Sequence, residues 1–405
     1  MSARSLSDGL LVAIAAIGLA CSPTNYDDGG HPRTATDIFV RAAEPVPGGA
    51  FLGAWVPRSG VVLNNTPMGS YDQAAYLVGG YVGVDLRAMD VTVSAGRLLG
   101  YDGGGTFTTL CPVGSVLRSV VGVAGVVIGV GDDGIVLRYS PSAHRCDVTT
   151  IADGGAPVQF RGIATDGTAA FAVGSVSDGS SMRPCSFRLD ASTATSAREM
   201  LPIMGPGELR GISYERVAGF WATGSNGLTL HRNDATMAWS LDTTVTTTET
   251  IASVGTEDES SRHWTMAVGG SSGPFVLARR WDDVAWAERR DYPAGLAPLL
   301  AVYARSDYEI YEVGGHGLNI AYNGRDYWIP PESPLTTDDL VTVAGANGIV
   351  IAAGGDLSNT TLSQSGVILL RGDLTRRMSY RVDTAEYPAL GNTRLEFGLG
   401  AGSVQ

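Results

Sequence analysis

The stretch Val127-Ile128-Gly129-Val130-Gly131-Asp132-Asp133-Gly134-Ile135-Val136-Leu137-Arg138-Tyr139 limits the possible folds more than any other part of the chain. An apolar run ends in Val-Gly, a few turn-forming residues follow, and a second apolar run begins. This is the pattern of a strand, a tight turn with glycines at positive φ, and a returning strand. Related phrases end at the turn glycines Gly174, Gly224, Gly269 and Gly314 and, more loosely, at Gly96 and Gly354. Successive glycines of this set are 35 to 50 residues apart, a period that belongs to solenoids and propellers. The 54 glycines of the 405-residue chain are about twice the usual share, and they fall between β-rich runs without a Gly-X-Y period.

A second phrase precedes each Val-Gly turn: Leu117-Arg118-Ser119-Val120, Phe160-Arg161-Gly162-Ile163, Leu209-Arg210-Gly211-Ile212, Ile251-Ala252-Ser253-Val254, Leu299-Leu300-Ala301-Val302 and Leu340-Val341-Thr342-Val343. A large apolar residue, a small one two places on, then a β-branched one suits a strand packed at a crowded centre. Leu86-Arg87-Ala88-Met89 fits loosely and is read as the first such strand. After each turn comes a third strand, then a polar loop, then a fourth strand with an aromatic: Phe107, Trp239, Trp286 or Trp328. An acid or amide stands five residues before three of these (Asp102, Asp234, Asn323), placed to cap its own turn. Four strands per repeat make a propeller blade. The expected fold is an all-β propeller of four-stranded antiparallel blades, seven in number with eight as the alternative. Segments 51–80 and 394–399 are left over, and N- and C-terminal strands are expected to close the ring and cover its sheet edge.

The hairpin phrase together with Asp102-Gly103-Gly104-Gly105-Thr106-Phe107 resembles the Asp-box repeats of sialidase-type propellers and the repeats of photosystem II assembly-factor-like propellers. The resemblance covers residues 86–383 and implies the fold. A sialidase-like activity would require arginines converging on a substrate carboxylate, a tyrosine nucleophile with a glutamate partner, and an acid. Arg118, Arg161 and Arg210 occupy one repeat position from which they could face the channel, but they are expected to pack against blade faces or point outward.

Residues 1–20 read as a signal peptide: Arg4 is followed by an apolar run at 10–20, long enough for an export signal and too short to span a bilayer. The run ends in Ile17-Gly18-Leu19-Ala20-Cys21, which resembles the bacterial lipoprotein signal and implies lipid attachment at Cys21. Residues 21–47 are polar enough to read as a flexible tether, leaving 48–405 as a single propeller domain. A net charge of −13, with every basic residue an arginine, speaks against nucleic acid as partner.

Two catalytic motifs appear by letter only. Gly129-Val130-Gly131-Asp132-Asp133-Gly134 matches the dinucleotide fingerprint, but a strand follows where a helix N-terminus is needed. Gly269-Gly270-Ser271-Ser272-Gly273 matches a nucleophile elbow with the same defect. Cys111, Cys146 and Cys185 permit one disulfide and one free thiol in an exported protein, with the pairing open. Neither they nor the histidines at 31, 144, 231, 263 and 316 have metal-site spacing. The reading is therefore a monomeric, lipid-anchored cell-envelope module, facing the periplasm or the exterior, that binds or scaffolds a protein or glycan of the envelope. It touches the membrane through its anchor alone, with no catalytic residue, cofactor or metal expected. The alternative is a sialidase-like glycoside hydrolase, and without lipidation the protein would be secreted.

Overall fold

A computed structural model describes residues 40–41, 46–47, 49–58, 62–63, 66–67, 71–85 and 91–371, apart from 105, 204, 257–263, 281, 290–291, 293–294, 307–308, 323–326, 329–335, 347–348 and 356–364. The chain is a seven-bladed β-propeller. The innermost strands of blades 1 to 7 are Ala50–Trp55, Leu117–Val123, Ala156–Thr165, Leu209–Glu215, Ile251–Thr256, Leu299–Ser306 and Leu340–Ala346. Each pairs antiparallel with the next strand outward, and every blade continues to a fourth. The helical turns among the described residues are short 3-10 turns such as Asp132–Gly134, Ser225–Gly227 and Gly315–Gly317.

One irregularity recurs in all seven blades. Between the first and third residues of the inner-strand phrase the register slips, so that one residue has no partner across the ladder: Leu52, Arg118, Arg161, Arg210, Ala252, Leu300 and Val341. Such a bulge bends the strand and turns the extra side chain out of the sheet. Opposite it stands a glycine whose Cβ, if present, would strike the carbonyl oxygen at the entry of the inner strand. The pairs are Gly79 with Ala50, Gly131 with Val116, Gly174 with Gln159, Gly224 with Glu208, Gly269 with Thr250, Gly314 with Pro298 and Gly354 with Asp339. In five blades the same carbonyl accepts a hydrogen bond from the residue after the glycine, for example Asp132 N to Val116 O at 2.9 Å.

The phrase glycines thus serve close approach. Gly131, Gly224 and Gly314 have extended backbones (φ −168°, −170° and −164°), and the left-handed turn residues are Asp133, Asn226 and His316 followed by glycine. Blade 1 corrects the sequence reading further. Its inner strand is Ala50–Trp55 and its phrase glycine is Gly79; Leu86 lies outside the described residues. Gly96 sits within the third strand, Val91–Tyr101, opposite Gly80. The 51–80 segment is therefore the first half of blade 1, which settles the count at seven.

Seven apolar clusters fill the seven seams between neighbouring blades. The seam between blades 7 and 1 joins Phe51, Leu77, Leu99 and Tyr101 to Ile351, Ala353, Ile368 and Leu370. Blade 7 takes its outermost strand from the N-terminal side: Val40–Arg41 pairs with Leu369 and Leu370, and Val46–Pro47 with Ser365 and Gly366. Terminal strands do close the ring, but the N-terminal one comes from residues assigned to the tether, which therefore does not run uniformly to 47. Segment 394–399 lies outside the described residues. Cys111 and Cys146 form the disulfide, between the fourth strands of blades 1 and 2 (Phe107–Val113 and Arg145–Thr150), and Cys185 is the buried free thiol. Burial pushes that thiol up to about 12.

Candidate functional site at the channel mouth

The small residues at the third phrase position, Gly53, Ser119, Gly162, Gly211, Ser253, Ala301 and Thr342, surround a central channel. Its cavity is about 350 Å³ and takes lining residues from all seven inner strands. Contact between neighbours is tight there: a Cβ on Gly211 would lie 2.8 Å from the Ser253 Cα. Hydroxyls bridge adjacent strands, with Ala54 N donating to Thr342 Oγ1 at 3.1 Å and Ile163 N to Ser119 Oγ at 3.3 Å.

The bulged residues ring the mouth on the face where the inner strands begin. In blades 2, 3 and 4 they are Arg118, Arg161 and Arg210; in blades 5, 6, 7 and 1 they are Ala252, Leu300, Val341 and Leu52. The arginines line the channel, contrary to the expectation that they pack on blade faces or point outward. Two acids from neighbouring loops interleave with them. Asp132 receives Arg118 Nη2 at 2.7 Å and Arg161 Nη1 at 2.9 Å; Glu208 receives Arg161 Nε at 2.8 Å and Arg210 Nη2 at 2.9 Å. The result is an arc Arg118–Asp132–Arg161–Glu208–Arg210 across three of the seven blades, facing apolar residues on the other four. Three positive and two negative groups leave a net charge of +1 on the arc. Nη1 of Arg118, Nη2 of Arg161 and Nη1 of Arg210 donate to no described protein group, and these side chains are 27, 28 and 45% exposed. Such nitrogens are available to a ligand.

Toward the other mouth, Trp55 leaves blade 1 and packs against the apolar clusters of blades 1–2, 2–3 and 3–4. Its indole lies where a Cβ on Gly122 would be. Tyr71 meets it edge-on at 4.8 Å between centroids.

The other expected residues serve the fold. Phe107 stacks on Tyr101 at 4.8 Å, Trp239 is buried in the fourth strand of blade 4, and Trp286 donates from Nε1 to Asp242 Oδ2 at 3.1 Å. Trp328 pairs with Ala321 in the fourth strand of blade 6. Asp102 caps its own loop, accepting from Gly104 N and Thr106 N at 2.7 and 3.0 Å. In blade 4 the cap is Asn233, one residue before the expected Asp234, which instead accepts from Tyr214 Oη at 3.0 Å. Both letter-match motifs are hairpins between strands. Cys21, His31 and His263 lie outside the described residues. Among the described residues no three His, Cys, Asp or Glu side chains are grouped to hold a metal. The acids Asp132 and Glu208 were not singled out from sequence; each sits in a loop and is recognisable only once the arginines are seen to face the channel.

No family model matches the chain, and no curated protein matches its sequence. Solved structures do. YCF48 from Cyanidioschyzon merolae aligns at TM-score 0.57 and 14% identity, over 82% of this chain and 98% of that one. A chain of the mitotic checkpoint complex aligns at TM-score 0.54 and 11% identity, over 85% and 97%. The propeller fold is shared. At these identities the likeness extends to the fold alone.

Proposed function

We propose that this chain is a binding or scaffolding module of the cell envelope, lipid-anchored through Cys21, and that it recognises a protein partner at the arginine-lined mouth. The observation that carries the reading is the divided rim, in which guanidinium nitrogens with unused donors on three blades face aliphatic side chains on four. A rigid ring that presents polar and apolar groups at fixed spacing suits recognition. The mitotic checkpoint complex is a protein assembly, and use within an assembly is proposed here too. The export signal read from the sequence favours an extracytoplasmic setting, and the −13 charge of the whole chain favours neutral or basic partners. The unused guanidinium donors at the mouth favour acceptor groups there. A glycan of the envelope is the other ligand class this rim admits.

The glycoside hydrolase alternative gains the channel-facing arginines. Against it, these arginines are engaged by Asp132 and Glu208, and the channel tyrosine Tyr214 turns its hydroxyl to Asp234. Turnover of a labelled glycan that is lost in Arg161→Gln would reinstate it.

The test is in vivo crosslinking with mass spectrometry on wild type, Arg161→Gln and Cys21→Ala. A specific partner whose yield falls at least about fivefold in Arg161→Gln is expected, roughly 1 kcal/mol of lost contact. Failure to crosslink any specific protein would refute the protein-binding reading. Retention of Cys21→Ala in the membrane fraction would refute the anchor.

A further inference from the structure

On the face opposite the arginine arc, blades 1 and 2 bring together four side chains that the channel does not use. Asp72 lies in the connection between the first two strands of blade 1, and Tyr76 is on the second. Tyr139 is on the third strand of blade 2, and His144 stands in the turn after it with a left-handed backbone (φ 46°). Both tyrosine rings are buried, yet their hydroxyls converge on one carboxylate: Tyr76 Oη donates to Asp72 Oδ1 at 2.6 Å and Tyr139 Oη to Oδ2 at 2.8 Å. His144 Nδ1 is 3.1 Å from Tyr139 Oη and 3.4 Å from Asp72 Oδ2, while its side chain is 75% exposed. The arrangement is braced from outside. Cys146, two residues after His144 and paired across the sheet with Tyr139, is bonded to Cys111 of blade 1.

Asp72 Oδ2, Tyr139 Oη and His144 Nδ1 form a triangle with edges of 2.8, 3.1 and 3.4 Å. An octahedral ion with bonds of about 2.2 Å has ligand triangles of this size, and one carboxylate with other donors on a single face leaves open positions toward solvent. Tyr76 fills the supporting role, fixing the carboxylate through its other oxygen. We propose that Asp72, Tyr139 and His144 form a surface site for ferric iron. The donor set selects the ion: two hard oxygens favour a highly charged oxophilic metal, and imidazole suits iron among such ions. Binding would form an Fe–O bond to Tyr139 and release its phenol proton to solvent, with no change of oxidation state. The site departs from the sequence reading, which expected no metal.

The test uses the full chain and ferric citrate at neutral pH. After gel filtration one iron per chain is expected, with a visible phenolate-to-iron charge-transfer band. Tyr139→Phe abolishes the band; His144→Ala and Asp72→Asn lower iron retention; Tyr76→Phe keeps the band but weakens binding roughly tenfold. Where Tyr139→Phe does not fold, judged by near-UV circular dichroism, the solvent-exposed His144→Ala decides. Absence of stoichiometric iron in wild type, a band that survives Tyr139→Phe, or unchanged iron retention in His144→Ala overturns the proposal and leaves the cluster as a tie between blades. Zinc bound as tightly as iron overturns the choice of ion.

Discussion

The seam between blades 2 and 3 and the seam between blades 4 and 5 solve one packing problem in two ways. The first is mainly apolar, with the buried Arg138 donating across it from Nε to the Asp190 carbonyl at 3.2 Å. Val121, Val123, Ile128, Val130 and Val136 meet Val158, Phe160, Ile163, Phe187 and Leu189, with Phe160 edge-on to Phe187 at 5.9 Å. The second has few aliphatics and is built on Trp221 and Trp286, which meet edge-to-face at 5.3 Å. Arg279 lies over both indoles, 4.5 and 5.9 Å from the ring centroids. Glu215, 1% exposed, accepts from Trp221 Nε1 at 2.9 Å and Thr265 Oγ1 at 3.1 Å, while His231 stacks on Trp221 at 4.2 Å. An apolar seam asks only for matching volume, so many neighbours would do. A seam of buried polar groups is satisfied in one arrangement and costly in any other. Blades 4 and 5 thus carry information about which neighbour is correct, where blades 2 and 3 carry mainly cohesion.

Phe160→Ala should be the most costly break of the apolar seam, about 4 kcal/mol from lost burial and the cavity left behind. Denaturant unfolding measures it, and a loss below about 1 kcal/mol would mean the seam can collapse around the void. Arg279→Met keeps the bulk over the indoles but removes the charge near Asp242, 3.9 Å away and 11% exposed. A loss of about 2–3 kcal/mol is expected, less than for a fully isolated buried charge because Trp286 still donates to Asp242. If the loss were negligible, the polar seam would be holding by its aromatic faces alone and the contrast with blades 2 and 3 would vanish.

The smallest effect expected is one of pH. Burial lowers the His231 pKa below its ordinary 6.5, and its Nε2 donates to the Ala218 carbonyl at 2.8 Å as a neutral ring. The unfolded chain therefore binds the proton more readily than the folded one. Stability from this group is present above about pH 6.5 and is lost as the pH falls below it. The melting temperature of wild type should drop more steeply than that of His231→Phe between pH 6.5 and 5. Parallel curves would show that protonation of this ring is not coupled to folding.

The repeat was legible because its glycines answer a steric demand that recurs in every blade. At Gly131, Gly174, Gly224, Gly269, Gly314 and Gly354 the demand and the letter coincide. Blade 1 escaped because residues 56–74 separate its first two strands, placing Gly79 28 residues after Phe51, where the other blades have 14 to 18 between the first residue of the phrase and the glycine. The direction of Arg118, Arg161 and Arg210 was illegible for a different reason. Alternation along a strand assigns faces only while the register holds, and each arginine sits at the bulge where it slips. Disulfide pairing and the Asp72 cluster depend on contacts between blades, for which local pattern carries no signal.

The pairing of Val40 with Leu370 joins residues 330 positions apart. At about 5–20 residues per second, a ribosome needs roughly 15–65 s to make the intervening chain. For that time the N-terminal strand waits without a partner while six blades can already fold beside it. The entropic cost of closing a loop grows only logarithmically with its length, whereas the delay grows in proportion to it. The unclosed arc would present a bare blade edge and an open seam to any other nascent copy, so the vulnerable moment in this molecule's life is the interval before its first strand meets its last.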